Sequence, residues 1–228
     1  MAVITISRQV GSGGKEIATR LCEQLGYTFF DKRLMAQVAT DVGLSTNDIV
    51  DFSEDDYKVK GFFGRLFGRG TRRATEPASG LAEAAPSERL TVEQLDEPRC
   101  VEFVRSTVMA AYQRGNVVII GRGGQAVLRD LPDVLHVRLE APEGTRIRRL
   151  MEQENSSFAH AYQLMLDRDR AAAQYLTEYF GIRWDDPMLY HLIINTGKLE
   201  LPAAAQVIVT ALQALQAVPA EAHAGAHE

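Results

Sequence analysis

The opening residues constrain the fold most. A short apolar run, Ala2 to Ile6, gives way to a glycine cluster, Gly11, Gly13 and Gly14, which leads straight into a helical pattern at Lys15. The order is strand, loop, helix. Ile17, Leu21 and Leu25 then recur every four residues with Ala18 and Cys22 beside them, so one helix face is apolar, and Gly26 is suited to end it. Tyr27 to Phe30 reads as a second short strand.

A loop in this position has the parts that a triphosphate requires. Backbone N–H groups must converge on phosphate oxygens, the turn must allow close approach, and a cation must sit near the β and γ phosphates. Gly11, Ser12, Gly13, Gly14 and Lys15 supply these, and the helix starting there adds the positive end of its dipole. The spacing departs from G-x-x-x-x-G-K-[ST] at both ends, because Gln9 stands at the first glycine and Glu16 at the magnesium-binding hydroxyl. Ser7, Ser12 or a water shell are the substitutes for that hydroxyl. Two rival readings are a ligand-free glycine turn and a dinucleotide loop; for the latter, Gly11-Ser12-Gly13 begins G-x-G, but Glu16 replaces its last glycine.

Further strands are expected at Val117 to Ile120, Val134 to Leu139 and Leu192 to Ile194, each followed by helix-like sequence, the last helix running from Pro202 to Leu215. Strands alternating with helices imply right-handed crossovers and a sheet covered on both faces. The expected fold is three-layer α/β of the P-loop NTPase type, with a mostly parallel five-stranded sheet. One domain spans 1–215, interrupted by an irregular insertion at about 53–98, and 216–228 reads as a flexible tail. Within the insertion, Phe62, Phe63, Leu66 and Phe67 mix with basic residues, but Gly61, Gly64 and Gly68 interrupt any helix. A flexible substrate-side loop, a partner or membrane-surface contact and a disordered insertion are the three readings of it.

Net charge of -5 and a pI near 5.6 exclude broad affinity for nucleic acid or anionic membrane, so any phosphate site is local. Cys22 and Cys100 lie far apart without a partner motif, which argues against a disulfide framework or a metal knuckle. No apolar run approaches membrane-spanning length, and the start lacks a signal-peptide pattern; the expectation is a cytoplasmic protein.

The run from Ile4 to Ala18 resembles the opening of the cytidylate kinase-like family. Phe29-Phe30-Asp31-Lys32, Ile119-Ile120-Gly121-Arg122-Gly123-Gly124, Pro132-Asp133 before Val134, and Leu192-Ile193-Ile194-Asn195-Thr196 follow in family order. The resemblance implies transfer of a phosphoryl group from ATP, with Mg2+, to a nucleoside monophosphate such as CMP or dCMP. It also implies a mobile acceptor and lid region, and nucleotides rather than nucleic acid or membrane as partners. Such catalysis is positioning plus charge stabilisation, for which arginine forks are suited.

On that view Gly11, Ser12, Gly13, Gly14, Lys15 and Glu16 hold the donor, and Lys15, Arg168 and Arg170 stabilise the transfer. Arg168 and Arg170 are similar to lid arginines, although i and i+2 do not share a helix face, and a solvated helix with charge pairs is the bland reading. Arg122, at a strand end among glycines, is expected on the acceptor phosphate, or else in a cap or ion pair. Asp31 is expected on acceptor ribose, base or hydrated magnesium, or else as an N-cap. Arg146, Arg148 and Arg149 read as a solvated basic face, with Arg146 or Arg149 within reach of the lid. Asn195 and Thr196 are adenine-side contacts or a strand-end turn. Two family carboxylates are missing, since Ile120 and Gly123 flank the Gly121-Arg122 pair, leaving Glu16, Asp31 and Asp169 to compensate. A nucleotide-binding regulator with a degenerate loop, and a P-loop kinase for another small acceptor, are the alternative functions.

Overall fold

The computed structural model describes residues 2–30 and 97–217; Asp31, nearly all of the insertion and the tail from 218 lie outside these. The elements are β1 (Val3–Arg8), α1 (Gly14–Leu25), β2 (Thr28–Phe30), α2 (Glu97–Arg114), β3 (Val117–Ile120), α3 (Gly124–Val127), β4 (Val134–Glu140), α4 (Glu143–Glu154), α5 (Phe158–Phe180), β5 (Leu192–Asn195) and α6 (Leu201–Ala217). A 3-10 turn, Pro187–Leu189, precedes β5.

All pairings are parallel, and the strand order is β2-β3-β1-β4-β5. The strands VITI and VVII are near-continuous apolar runs because a parallel sheet is buried on both faces. Alternation then divides them. Ile4 and Ile6 of β1 pack with Ile17 and Leu21 of α1 and Ile208 and Leu212 of α6, whereas Val3 packs with Phe103, Val104 and Val108 of α2. A third cluster joins Ile147 and Leu150 of α4 to Ala161 and Met165 of α5.

β1 lies between two strands that arrive later, β3 on one side and β4 on the other. The chain leaves β1 toward one edge and later crosses to the other, so a crevice opens outside the carboxyl end of β1, where ligands of open α/β sheets bind. Among the described residues no helix is long and apolar enough to cross a membrane.

A histidine sits deep in the sheet. His136 of β4 lies opposite Thr5 of β1, with Nδ1 2.6 Å from the Thr5 hydroxyl, and its ring stacks on His191 at 5.4 Å. Burial, helped by the neighbouring His191, lowers its pKa to about 4. An unfolded chain takes up this proton near the ordinary pKa of about 6.5, so the contribution is fully present above that pH and is lost as pH falls toward 4. Urea unfolding of the wild type should show stability falling over this window by on the order of 3 kcal/mol more than in His136→Gln. Parallel decline in both proteins would remove His136 as the cause.

Candidate functional site

The loop between β1 and α1 is shaped by two left-handed glycines, Gly11 at φ 80° and Gly13 at φ 82°. Both are closely covered. A Cβ on Gly11 would lie 2.7 Å from the backbone oxygen of Arg146, and one on Gly13 would lie 2.6 Å from Leu201 Cδ2. Only glycine fits either conformation and space.

Gln9 explains how the loop keeps its form without the usual first glycine. Its backbone N–H donates to Leu139 O at 3.0 Å, and its side-chain Oε1 accepts from Ala141 N at 3.2 Å, tying the loop to the end of β4. Its carbonyl accepts from both the N–H and the hydroxyl of Ser12, at 3.1 and 2.7 Å. The first bond of α1 runs from Ile17 N to Gly13 O, so the N–H groups of Gly14, Lys15 and Glu16 precede the helical ladder. No side chain caps that end. It is a helix N-terminus with its dipole and donors turned to the crevice, as an anionic ligand requires.

The crevice is a cleft of about 1060 Å3, lined by Arg8, Gln9, Val10, Gly11, Gly13, Gly14, Lys15 and Glu16 from the loop and by Arg20, Phe29, Phe30, Ile120, Arg122 and Arg168 around it. Lys15 is exposed to it. Arg122 reaches it from the end of β3 in a left-handed backbone conformation, φ 58°, that non-glycine residues rarely adopt and that clusters at ligand sites. Its guanidinium lies 5.4 Å over the Phe30 ring, and its residue is only 7% exposed. The next residue, Gly123, packs under Phe180 at the end of α5, where a Cβ would meet Cε2 at 2.7 Å.

Of the paired arginines on α5, Arg168 lines the cleft, while Arg170 is exposed and does not. Their i,i+2 spacing turns them to different sides of the helix. Ser12 belongs to the loop, but its side chain is fully buried and given to Gln9. Ser7 is 2% exposed and accepts from Trp184 Nε1 at 2.8 Å, with the Tyr190 hydroxyl 3.2 Å away. Neither serine lines the cleft, and both oxygens are engaged inside the fold. Asp169, another of the carboxylates expected to compensate, does not line the cleft and is paired with Arg146. Glu16 does line it and accepts from Gln153 Nε2 at 2.6 Å. Among the described residues no group of three or more His, Cys, Asp or Glu gathers as a metal site.

The basic face expected on α4 is corrected. Arg148 is exposed, but Arg146 is 5% exposed and Arg149 is half-buried. Arg149 donates to the hydroxyl and carbonyl of Thr196 at 3.1 and 2.9 Å, and the Thr196 hydroxyl lies 2.8 Å from Ser12 O. Thr196 therefore braces the phosphate loop from the end of β5. Asn195 closes the following turn, its Oδ1 accepting from Gly197 N at 2.9 Å. Arg146 shares its buried side with Ile147 and Leu150, and its place beside that apolar stripe is the signal of burial that the sequence carries.

Arg138, at mid-β4, was not singled out from sequence. It is 2% exposed, stacks between Trp184 at 4.6 Å and Tyr190 at 5.6 Å, and donates to Glu140 and to Trp184 O. It fastens the segment after α5 to the sheet beside the loop.

The comparisons with known proteins agree with this architecture. The model of the cytidylate kinase-like family matches residues 3–198. The cytidylate kinase of Halobacterium salinarum is 23% identical over 216 residues, spanning 94% of this chain and 91% of that protein. The cytidylate kinase of Staphylothermus marinus is 29% identical over 132 residues, 55% of this chain and 73% of that one. A solved structure of an uncharacterized protein from Eubacterium ventriosum superposes with a TM-score of 0.61 at 21% identity, covering 93% of this chain and 99% of its own, and shows the same fold. With the family match spanning most of its length, the chain belongs to the cytidylate kinase-like family.

Proposed function

We propose that this protein is a nucleotide kinase that moves the γ-phosphoryl group of ATP to a nucleoside monophosphate, CMP or dCMP. The observation that carries the reading is an arrangement across one cleft: an uncapped helix N-terminus with Lys15 on one side, and Arg122 and Arg168 on the others. In this proposal the N–H groups of Gly11 and of Gly13 to Glu16 hold the donor phosphates, the Ser12 N–H being bonded to Gln9 O, and Lys15 neutralises charge between β and γ. Arg168 meets the transferring phosphoryl group, and Arg122 holds the acceptor phosphate. Arg170 takes no part. Asp31 follows β2 directly and belongs to the acceptor side, outside the described residues.

Magnesium enters as part of the substrate, bound to ATP. Mg2+ keeps several waters and takes one or two carboxylates with substrate phosphates, a mode that the cleft carboxylate of Glu16 suits and that needs no loop hydroxyl. Catalysis then consists of holding donor and acceptor in line in a site that supplies fixed positive charge.

A second reading, a nucleotide-binding regulator with little transfer, is favoured by the commitment of both Ser7 and Ser12 to internal hydrogen bonds. ADP release measured with MgATP and a panel of nucleoside monophosphates distinguishes the two. The kinase reading expects stimulation by CMP or dCMP, whereas ATP binding with no stimulation by any acceptor upholds the regulator. In the same assay Arg122→Ala should raise the acceptor KM by about 30-fold, the cost of one charge-assisted phosphate contact, and leave the ATP KM within about threefold. Equal loss for both substrates would place Arg122 elsewhere.

A further inference from the structure

Asp169 lies next to Arg168 in sequence but performs a different task. Consecutive helical residues point about 100° apart, so when Arg168 faces the cleft, Asp169 faces the back of the phosphate loop. There its Oδ1 accepts from the Val10 N–H at 2.9 Å, and its Oδ2 accepts from both terminal nitrogens of Arg146 at 2.5 and 2.7 Å. The side chains are 19% and 6% exposed. Arg146 also presses on the loop through its backbone oxygen, which closes the space beside Gly11. The first half of the loop is therefore held from α4 and α5 together.

Burying this pair is costly, and desolvation raises the Asp169 pKa against the pull of Val10 N–H and the guanidinium of Arg146. An apolar pair would fill the same space but would leave the Val10 N–H without its acceptor. Both carboxylate oxygens are occupied and neither lines the cleft, so the group is unsuited to act as a base or as a ligand there. A second anchor lies further along the same helix. Phe180, eleven residues on and about 16 Å away along the axis, packs against Gly123 beside Arg122.

We infer that Asp169 is a positioning residue which, with Arg146, locks the phosphate loop to the helix that presents Arg168. Arg168 cannot then shift along or around α5 without breaking the Asp169–Val10 bond or moving the loop. The helix sets one distance between donor loop, Arg168 and the Arg122 turn. The kinetic part of this inference rests on the proposed phosphoryl transfer; the tether does not.

The test uses the full chain and two readouts. In the nucleotide-free protein, Asp169→Ala should speed hydrogen exchange at the Val10 amide by at least about tenfold, with the Ile4 amide of β1 unchanged. An unchanged Val10 rate overturns the tether. In turnover, Asp169→Ala should lower kcat by about 100-fold in the wild-type background but less than about threefold when Arg168 is already alanine. Losses that multiply in the double variant overturn the coupling, since a role confined to general stability would add independently. Asp169→Asn keeps the side-chain volume and one acceptor oxygen, so it should hold both the Val10 exchange rate and kcat to within about tenfold of wild type; if the alanine variant does not fold, Asp169→Leu, which fills the space without an acceptor, carries both readouts. Faster Val10 exchange in a protein that turns over no acceptor upholds the tether and overturns the kinase reading.

Discussion

Lys15→Ala is expected to weaken binding of a nonhydrolysable ATP analogue by about 100-fold, on the order of 3 kcal/mol, with no change in fold. The size follows from what the side chain does in the proposed complex. It is the one ammonium on the loop, next to the uncapped N-terminus of α1, and it is exposed to the cleft rather than used in packing. Removing it leaves a polyanion with backbone donors and the surrounding arginines but without a charge between its outer phosphates. An exposed side chain removed from a helix start alters stability by only about 0.5 kcal/mol, so the thermal midpoint should stay near that of the wild type. Calorimetric titration beside a thermal melt separates the two effects. Analogue affinity equal to the wild type would mean that the loop does not hold phosphates.

The largest structural effect is expected from Gly11→Ala. The residue needs φ 80°, and a Cβ there would lie 2.7 Å from Arg146 O and 3.0 Å from Arg146 Cα. These are backbone atoms of α4, which cannot turn aside as a side chain could. Relief requires the loop to move off α4, and such movement strains the Asp169–Val10 bond as well. Strain and overpacking together should cost about 2–4 kcal/mol, accompanied by loss of nucleotide binding. Gly26→Ala is the control. It has a similar φ of 67° at the end of α1 but nothing within 4 Å of the added atom, so only the conformational cost of about 1 kcal/mol remains. Denaturant unfolding of both variants reads the difference. Equal destabilisation would show that the close approach of α4 has no energetic weight.

The sheet was legible because its signals are local. Apolar runs such as Val117 to Ile120 and the four-residue recurrence in α1 report burial directly, and each observed strand lies within two residues of its expected ends. The phosphate loop was legible for the same reason, since glycine clusters mark positive φ and close backbone approach. The bracing of that loop was not. Arg146, Arg149, Asp169 and Thr196 come from three separate elements, and each looks like an ordinary polar residue until the fold brings it under the loop. Arg138 is a similar case: nothing in LHVRLE shows that Trp184 and Tyr190, far along the chain, will enclose it. The two ends of the motif differ. Gln9 is an anchor to β4, which only strand order reveals, whereas Glu16 lines the cleft.

The central claim is transfer, not merely binding, and it is tested by following the label from ATP carrying a radioactive γ-phosphate. Incubated with magnesium and CMP or dCMP, the protein should place the label on the β-phosphate of the resulting diphosphate, with little released as inorganic phosphate. Label that stays on ATP, or appears only as inorganic phosphate whichever acceptor is supplied, would contradict the account.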